Sequence, residues 1–583
     1  MRGPPKRYVR LLVFLALFIV PVAVVRTWLQ WHRQASHTLM KTVLFSAAPE
    51  ERNNIKAAEA LRAKYQDGYF IASVGVSSCF YIGNFFEVCP SFARHRNHHI
   101  QTQFPLEREF RIVHKDLTRT SSLRLAGFSR YLSYETISVE QVVKFLTNSE
   151  EQIYILEQFE PISERSEPLS KDIMISLRAL TEKSVGQTDF VTELDVLFGS
   201  DSVEPRVGWH MSREWAIELG NMPKYISVKK HASPVKPLSI PRLEADSQGT
   251  FKIVQLADLH YSVGEGHCRD EFPKHDVCHA DLKTLSFIEK VLDAEKPQLV
   301  VFTGDQIMGD TCFLDSATAL LKVVNPVIKR KIPYAIVWGN HDDDGSLDRW
   351  QLSLLARSLP FSIFQIGEQD TNDRTFGVGN YAHHINDENG NPISALYFLD
   401  SHKMAPNPKV NGAYDWIKED QWKYFQNYEN SFPNQKDSLS MAFFHIPLPE
   451  YLNFQSKYSP DYQNPMVGKM NEGITAPRYN SEGLKMLRQL GVKVTSVGHD
   501  HCNDFCLLDD SQSPANEDKI WLCYGGAAGE GGYAGYGGTE RRIRVYQLDF
   551  ASKKIETWKV LNSSPSVPFD QQVLVNAGSP KTD

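Results

Sequence analysis

From Phe251 onward the chain repeats one pattern: a short apolar run that finishes in polar residues, followed by a stretch with helical spacing of its apolar positions. The runs are FKIVQLAD, QLVVFTGD, YAIVWGN, ALYFLDS, SMAFFH, VKVTSVGHD, IWLCYGG and RRIRVYQLDF. Short apolar runs bounded by turn residues read as strands, and the intervening 3.6-residue period predicts helices over 280–296, 314–331, 346–358, 414–432 and 481–490. Strand and helix in alternation define an α/β domain, placed here at 251–562. Upstream, 68–235 carries shorter alternating runs such as YFIASVGV and YISVKK with some helix, a smaller β-rich domain. The segment HASPVKPLSIPRLEADSQG has prolines and no apolar period, so 236–250 reads as a linker. Ala57, Ala58, Leu61 and Tyr65 fall at helical spacing inside 28–67, which reads as a stalk, and 563–583 reads as a flexible tail.

The N-terminus breaks from this texture. Arg2, Lys6, Arg7 and Arg10 precede an uncharged apolar run over 11–25, and Trp28 and Trp31 follow it. We expect 1–27 to be a cytoplasmic basic end with a membrane anchor, and the body to be luminal or extracellular by the positive-inside rule. A signal peptide, giving a secreted protein, is the alternative. The close cysteine pairs Cys79/Cys89, Cys268/Cys278 and Cys502/Cys506 suit an oxidising compartment, with their connectivity left open. Length changes the picture only by asking for more than one domain, since 583 residues exceed what one core organises. A formal net charge of −7 gives no basic footprint, so no nucleic-acid partner is expected.

Candidate chemistry sits where the apolar runs end. Asp258 and His260, Gly304-Asp305, Gly339-Asn340-His341-Asp342, His445 and Gly498-His499-Asp500-His501 all follow predicted strands. Strand ends of an open α/β layer converge on one rim, so separate loops deliver oxygen and imidazole ligands to one place. Taken singly, Asp-x-His and Gly-Asp are ordinary capping and turn chemistry. Asn340 has little reason to end an apolar strand unless its side-chain oxygen is used, and imidazoles two residues apart on one loop reach neighbouring cations. Together they point to a metal centre, because buried polar groups need partners.

This series resembles the five-block signature of the calcineurin-like metallophosphoesterases over 251–550. CHADLKTLSFI, FFHIPLPEY, NEGITAPRYNSEG, GHDHCNDFC and CYGGAAGEGGYAGYGG are similar to fungal cell-cycle-regulator phosphatases and to short plant proteins called inactive purple acid phosphatases. The resemblance implies a metallophosphoesterase β-sandwich flanked by helices. It implies that Asp258, His260, Asp305 and His501 bind one metal ion and Asp305, Asn340, His445 and His499 the other, with Asp305 bridging. The ions would be Fe, Zn or Mn, a mixed donor set not deciding among them. His341 would donate a proton or hydrogen bond to substrate, oriented by Asp342. The tyrosinate of the purple enzymes would fall at Met308, so no tyrosinate colour is expected.

The implied function is hydrolysis of phosphate monoesters, phosphoproteins among them, by attack of a dimetal-bridging hydroxide. A phosphodiesterase on nucleotide-type diesters, or a membrane-tethered scaffold, are the other readings. The stretch HCRDEFPKHDVCHADLK reads as a disulfide-closed loop in preference to a zinc site. The Gly-rich run 525–538 lacks the Lys-Ser/Thr of a phosphate loop and is expected to carry backbone close to the metal centre. His402, Arg541, Arg542 and Arg544 read as structural or exposed, and 451–479 as a loop that shapes the pocket.

Overall fold

A computed structural model describes residues 42–43 and most of 54–581; outside the described residues lie 66–67, 84–85, 90–106, 124–125, 149–152, 161–173, 188, 218, 231–238, 368–373, 431–438, 454–465, 510–518 and 535–538, with the two ends. The expected anchor at 1–27 therefore falls outside them. Among the described residues no helix is long and apolar enough to cross a membrane.

Two seven-stranded sheets form the large domain. One runs in the order Tyr334–Val337, Leu299–Thr303, Thr250–Leu256, Arg542–Asp549, Lys554–Leu561, Ser564–Asn576, Ser579–Pro580. The other runs Leu243–Glu244, Tyr381–Asn386, Pro392–Phe398, Ser440–Phe443, Val492–Val497, Ile520–Tyr524, Cys506–Asp509. The strands read as unbroken apolar runs because both faces are covered, Leu299–Thr303 and Val492–Val497 being buried throughout. Along Pro392–Phe398, Leu396 and Phe398 enter a core shared with Ile253, Val300 and Val545 of the other sheet. Ala395 and Tyr397 point the other way, onto Trp422, Phe425, Leu484 and Leu487 of the outer helices. This is a helix-flanked sandwich, with strand alternation sorting side chains between its layers.

Thr250–Leu256, Leu299–Thr303 and Tyr334–Val337 are parallel, as are Pro392–Phe398, Ser440–Phe443 and Val492–Val497. Their carboxyl ends therefore share a direction, which carries the polar residues to one rim. The predicted helices appear as Ala280–Glu295, Ser316–Lys329, Arg349–Arg357, Glu419–Asn430 and Gly483–Gln489. Arg349–Arg357 opens with a capping box between Asp348 and Gln351.

Several expectations need correction. The expected stalk is corrected over 54–65, the described end of it: helix Asn54–Lys64 buries Ala57, Ala58 and Leu61, with Tyr65, against Val142, Leu146 and Val185 of the N-terminal domain. The linker ends early, since Leu243–Glu244 pairs parallel to Ile385–Asn386 at a sheet edge. The tail is a strand: Ser564–Asn576 doubles back on Lys554–Leu561 and buries Leu574 and Val575. Its prolines and polar residues hid a strand whose outer side is paired only at Val575 and Asn576, by Ser579–Pro580, and exposed backbone tolerates both.

Among the described residues the N-terminal domain holds three small sheets with helices Asn54–Lys64, Val139–Asn148 and Glu182–Gln187, and its boundary with the large domain is continuous. Leu197 belongs to the large domain's core. Lys115 bridges Asp195 and Asp315 at 2.8 Å each, and buried Lys322 meets Asp201 at 2.6 Å and Asp281 at 2.5 Å. Cys79–Cys89 and Cys268–Cys278 are disulfides, the latter closing the histidine-rich loop. The third bond is Cys506–Cys523, not Cys502/Cys506, because Cys506 and Cys523 lie opposite each other in antiparallel strands. Cys502 is buried and free.

Candidate metal centre

The site is built at strand ends by backbone bent out of the strand conformation. Asp258, His260, Asp305 and His499 hold φ of 53°, 51°, 50° and 77°. Non-glycine residues enter this left-handed region at a cost that surrounding structure must over-determine. That support is visible as loop-to-loop bonds: His499 N donates to Asp258 Oδ1 at 3.0 Å, and His341 N to Asp305 Oδ1 at 2.9 Å. Gly304, at φ 95°, admits no side chain, since a Cβ there would lie 2.1 Å from His445 Nδ1.

Donor atoms gather in two groups that meet at one carboxylate oxygen. In the first, His260 Nε2 lies 3.1 Å from His501 Nε2 and 3.6 Å from Asp305 Oδ2, and His501 Nε2 lies 3.6 Å from Asp258 Oδ1. Ligand atoms of Asp258, His260, Asp305 and His501 all fall within 4.8 Å of one another. In the second group, His445 Nε2 is 3.0 Å from Asn340 Oδ1, 3.3 Å from His499 Nδ1 and 3.4 Å from Asp305 Oδ2. All of these residues are buried. The imidazoles are preset by their other nitrogens: His445 Nδ1 donates to Thr303 O at 2.9 Å, and His501 Nδ1 to Tyr533 O at 2.7 Å. Nε2 of each is thereby left as an acceptor facing the group, the tautomer that metal binding needs.

The donor set fits cations. Imidazole nitrogens converge on one another, and Asp258 Oδ2 is buried with no hydrogen-bond partner among the described residues, an arrangement costly to bury without positive charge at its centre. Without it the protons redistribute. Burial pushes the Asp258 carboxyl well up. Burial drives His260 and His499 down to about 3. For His445, burial opposes charge but the Asp305 carboxylate outweighs it and raises the imidazole to about 9.

His341 stands at the rim, its side chain 46% exposed and its ring centroid 5.7 Å from that of His260. The residue that orients it is Asp344, whose Oδ2 lies 3.3 Å from His341 Nδ1 and raises the imidazole's pKa by that hydrogen bond. Asp342 does something else. Its carboxylate accepts the backbone N–H groups of Asp305, Ile307 and Gly339, stitching two ligand loops together. Buried turn amides need an acceptor, and Asp342 is the side chain that faces them. Arg349 adds to the clamp by pairing with Asp400 at 2.6 Å and Asp343 at 3.2 Å.

Sequence pattern missed two tyrosines. Tyr533 stacks on His501 at 3.9 Å and donates to Glu472 Oε2 at 2.9 Å, while Glu472 Oε1 accepts from Cys502 N. The described part of 451–479 thus holds the GHDH loop from below. Tyr414 stands perpendicular to His499 at 4.5 Å. Each lies in a loop: the glycines beside Tyr533 are a signal, whereas the helix predicted over 414–432 takes in Tyr414 yet begins only at Glu419. The Gly-rich run does pass against the centre, since a Cβ at Gly532 would lie 2.5 Å from His260 and 2.6 Å from His501. His402 donates or accepts at Gln421 and is structural; Arg541, Arg542 and Arg544 are buried, not exposed.

A helix-flanked sandwich with these ligand blocks at its rim defines the calcineurin-like phosphoesterases, and the chain belongs to that family: residues 251–503 match it. It is thus a hydrolase of the metallophosphoesterase class. The chain is 44% identical over 99% of both lengths to "Phosphatase DCR2" of Saccharomyces cerevisiae. It is 35% identical to "Probable inactive purple acid phosphatase 29" of Arabidopsis thaliana, covering 58% of this chain and 90% of that one. A dimetal phosphatase structure from Danio rerio superposes with a TM-score of 0.38 at 14% identity, over 56% of this chain and 99% of that one.

Proposed function

We propose that the protein is a phosphatase acting on phosphate monoesters, phosphoproteins among them, with two metal ions held by Asp258, His260, Asp305 and His501 on one side and Asp305, Asn340, His445 and His499 on the other. The observation that carries this is the meeting of two donor groups at Asp305 Oδ2. The phosphatase named in yeast supports it, as a relative similar along the whole chain. When bound, such ions supply an activated water and absorb charge on a phosphoryl group. The chain's own part is positional. Asp305 sets the separation of the two donor groups, the buried clamp of Asp342 and Arg349 keeps its loop in place, and His341, whose protonated form the hydrogen bond to Asp344 favours, donates to the departing oxygen. Met308 occupies the position of the purple enzymes' tyrosine, so the loaded protein is expected to lack a tyrosinate charge-transfer band.

For its setting, we place the apolar run at 11–25 in a membrane with the disulfide-bonded body on the luminal or extracellular side. The test of function is initial rate on an aryl phosphate monoester, the matching diester and a phosphoserine peptide. Monoester and peptide turnover supports the phosphatase; turnover of the diester alone assigns the protein to phosphodiesterases, and a metal-loaded protein inert to all of them to a scaffold.

A further inference from the structure

We infer that Tyr414 is a substrate-contacting residue of this site, its hydroxyl donating a hydrogen bond to a phosphoryl oxygen from the flank opposite His341. The inference rests on the dimetal reading above and adds a residue to it. Tyr414 sits on a loop pinned shut at its neck, where Ala405 N donates to Ala413 O at 3.0 Å and Asp415 N to Lys403 O at 2.8 Å. That neck is tied to the loop that bears His341, because Lys403 Nζ bonds Asp343 Oδ2 at 2.8 Å and Asp343 is in turn held by Arg349. The loops carrying Tyr414 and His341 are therefore fixed relative to each other.

Position follows from the ring contacts. His341 neighbours His260, in the first donor group, and Tyr414 neighbours His499, in the second. A phosphoryl group spanning the two groups would lie between them. The Tyr414 ring is half-buried against His499, while its hydroxyl has no hydrogen-bond partner among the described residues and lies in the field of Asp500 and Asp305. A phenol on a rigid loop, facing a site for an anion, offers a neutral donor at little cost in conformational freedom, and such preorganised donors are what stabilise charge on a transferring group. Neighbouring Met404, 53% exposed and bridged to Tyr414 across the neck, leaves the approach open.

The experiment compares wild type, Tyr414→Phe and Asp305→Asn as the full chain, loaded with metal, reading metal content, kcat and KM on an aryl phosphate, and the inhibition constant of inorganic phosphate. Phenylalanine keeps the ring on His499 and removes only the hydroxyl. The expected result for Tyr414→Phe is unchanged metal content, a kcat/KM about tenfold lower and a phosphate inhibition constant raised several-fold, the scale of one lost hydrogen bond. Unchanged constants would overturn the inference, as would loss of metal, which would put the hydroxyl's role in holding the centre together. Unchanged constants beside an inactive Asp305→Asn would leave the dimetal reading standing. A wild type with neither turnover nor phosphate inhibition would remove that reading, and this inference with it.

Discussion

His341 and Asp344 form the part of the site whose protonation reaches solvent. The hydrogen bond that His341 Nδ1 donates to Asp344 raises the His341 pKa above its ordinary value, so the imidazolium persists further into the alkaline range than a free histidine would. If the protonated form donates to the leaving oxygen, activity falls as pH rises through that raised pKa. Asp344→Asn should move this alkaline limb of kcat/KM toward lower pH, and His341→Ala should lower kcat by about 100-fold with metal content kept. A limb that stays in place in Asp344→Asn would separate it from His341. The buried ligands predict a second pH effect. Asp258 and His445 hold protons in the metal-free protein, the latter up to about 9, so binding a cation must release them. Metal affinity should therefore rise with pH toward about 9, with proton release measurable by calorimetry in buffers of different ionisation enthalpy. Affinity independent of pH would contradict the protonation pattern.

At the scale of elements, the parallel strands and their ligand-bearing ends were legible because buried strands leave unbroken apolar runs and ligands interrupt them abruptly. What could not be read was direction within a turn. Gly-Asn-His-Asp places Asp342 next to His341 in sequence, yet its side chain turns inward to the amides of Asp305, Ile307 and Gly339, and Asp344, two residues further on, reaches the imidazole. Pairing across strands was equally hidden: Cys506 bonds Cys523, 17 residues away, and ignores its sequence neighbour Cys502. Tyr533 lies in a loop, where no period betrays which side chain folds back on a ligand, and Tyr414, read as the start of a helix, stands before the turn where that helix begins at Glu419. The bend after Leu299–Thr303 gives a sharp test. Gly304→Ala drives a Cβ into His445, so the second donor group should lose its metal while far-ultraviolet circular dichroism stays near wild type. Full metal content in that variant would contradict the close packing of His445 on this turn.

Across the whole molecule, the two domains are one folded unit. Leu197 lies in the large domain's core, and Lys322 is buried between Asp201 of one domain and Asp281 of the other. Asp281 also accepts the backbone N–H of Ser262, two residues beyond His260, so the interface reaches the ligand loop. Lys322→Met would leave both carboxylates buried without their cation, an expected loss of about 3–5 kcal/mol in urea unfolding. A chain beginning at residue 240 should be poorly soluble, with Leu197's neighbours uncovered; a soluble fragment of wild-type melting temperature would show the domains to be independent. The change of texture at Phe251 falls where strand Thr250–Leu256 of the sandwich begins, but the core shared with the preceding segment was not readable, because a contact between distant segments leaves no local pattern.

The central claim is that two donor groups share Asp305, and metal content measured together with monoester turnover on wild type and Asp305→Asn tests it most directly. The account predicts two ions per wild-type chain with turnover, and at most one ion with no turnover in Asp305→Asn. Two ions and undiminished turnover in the variant would contradict it.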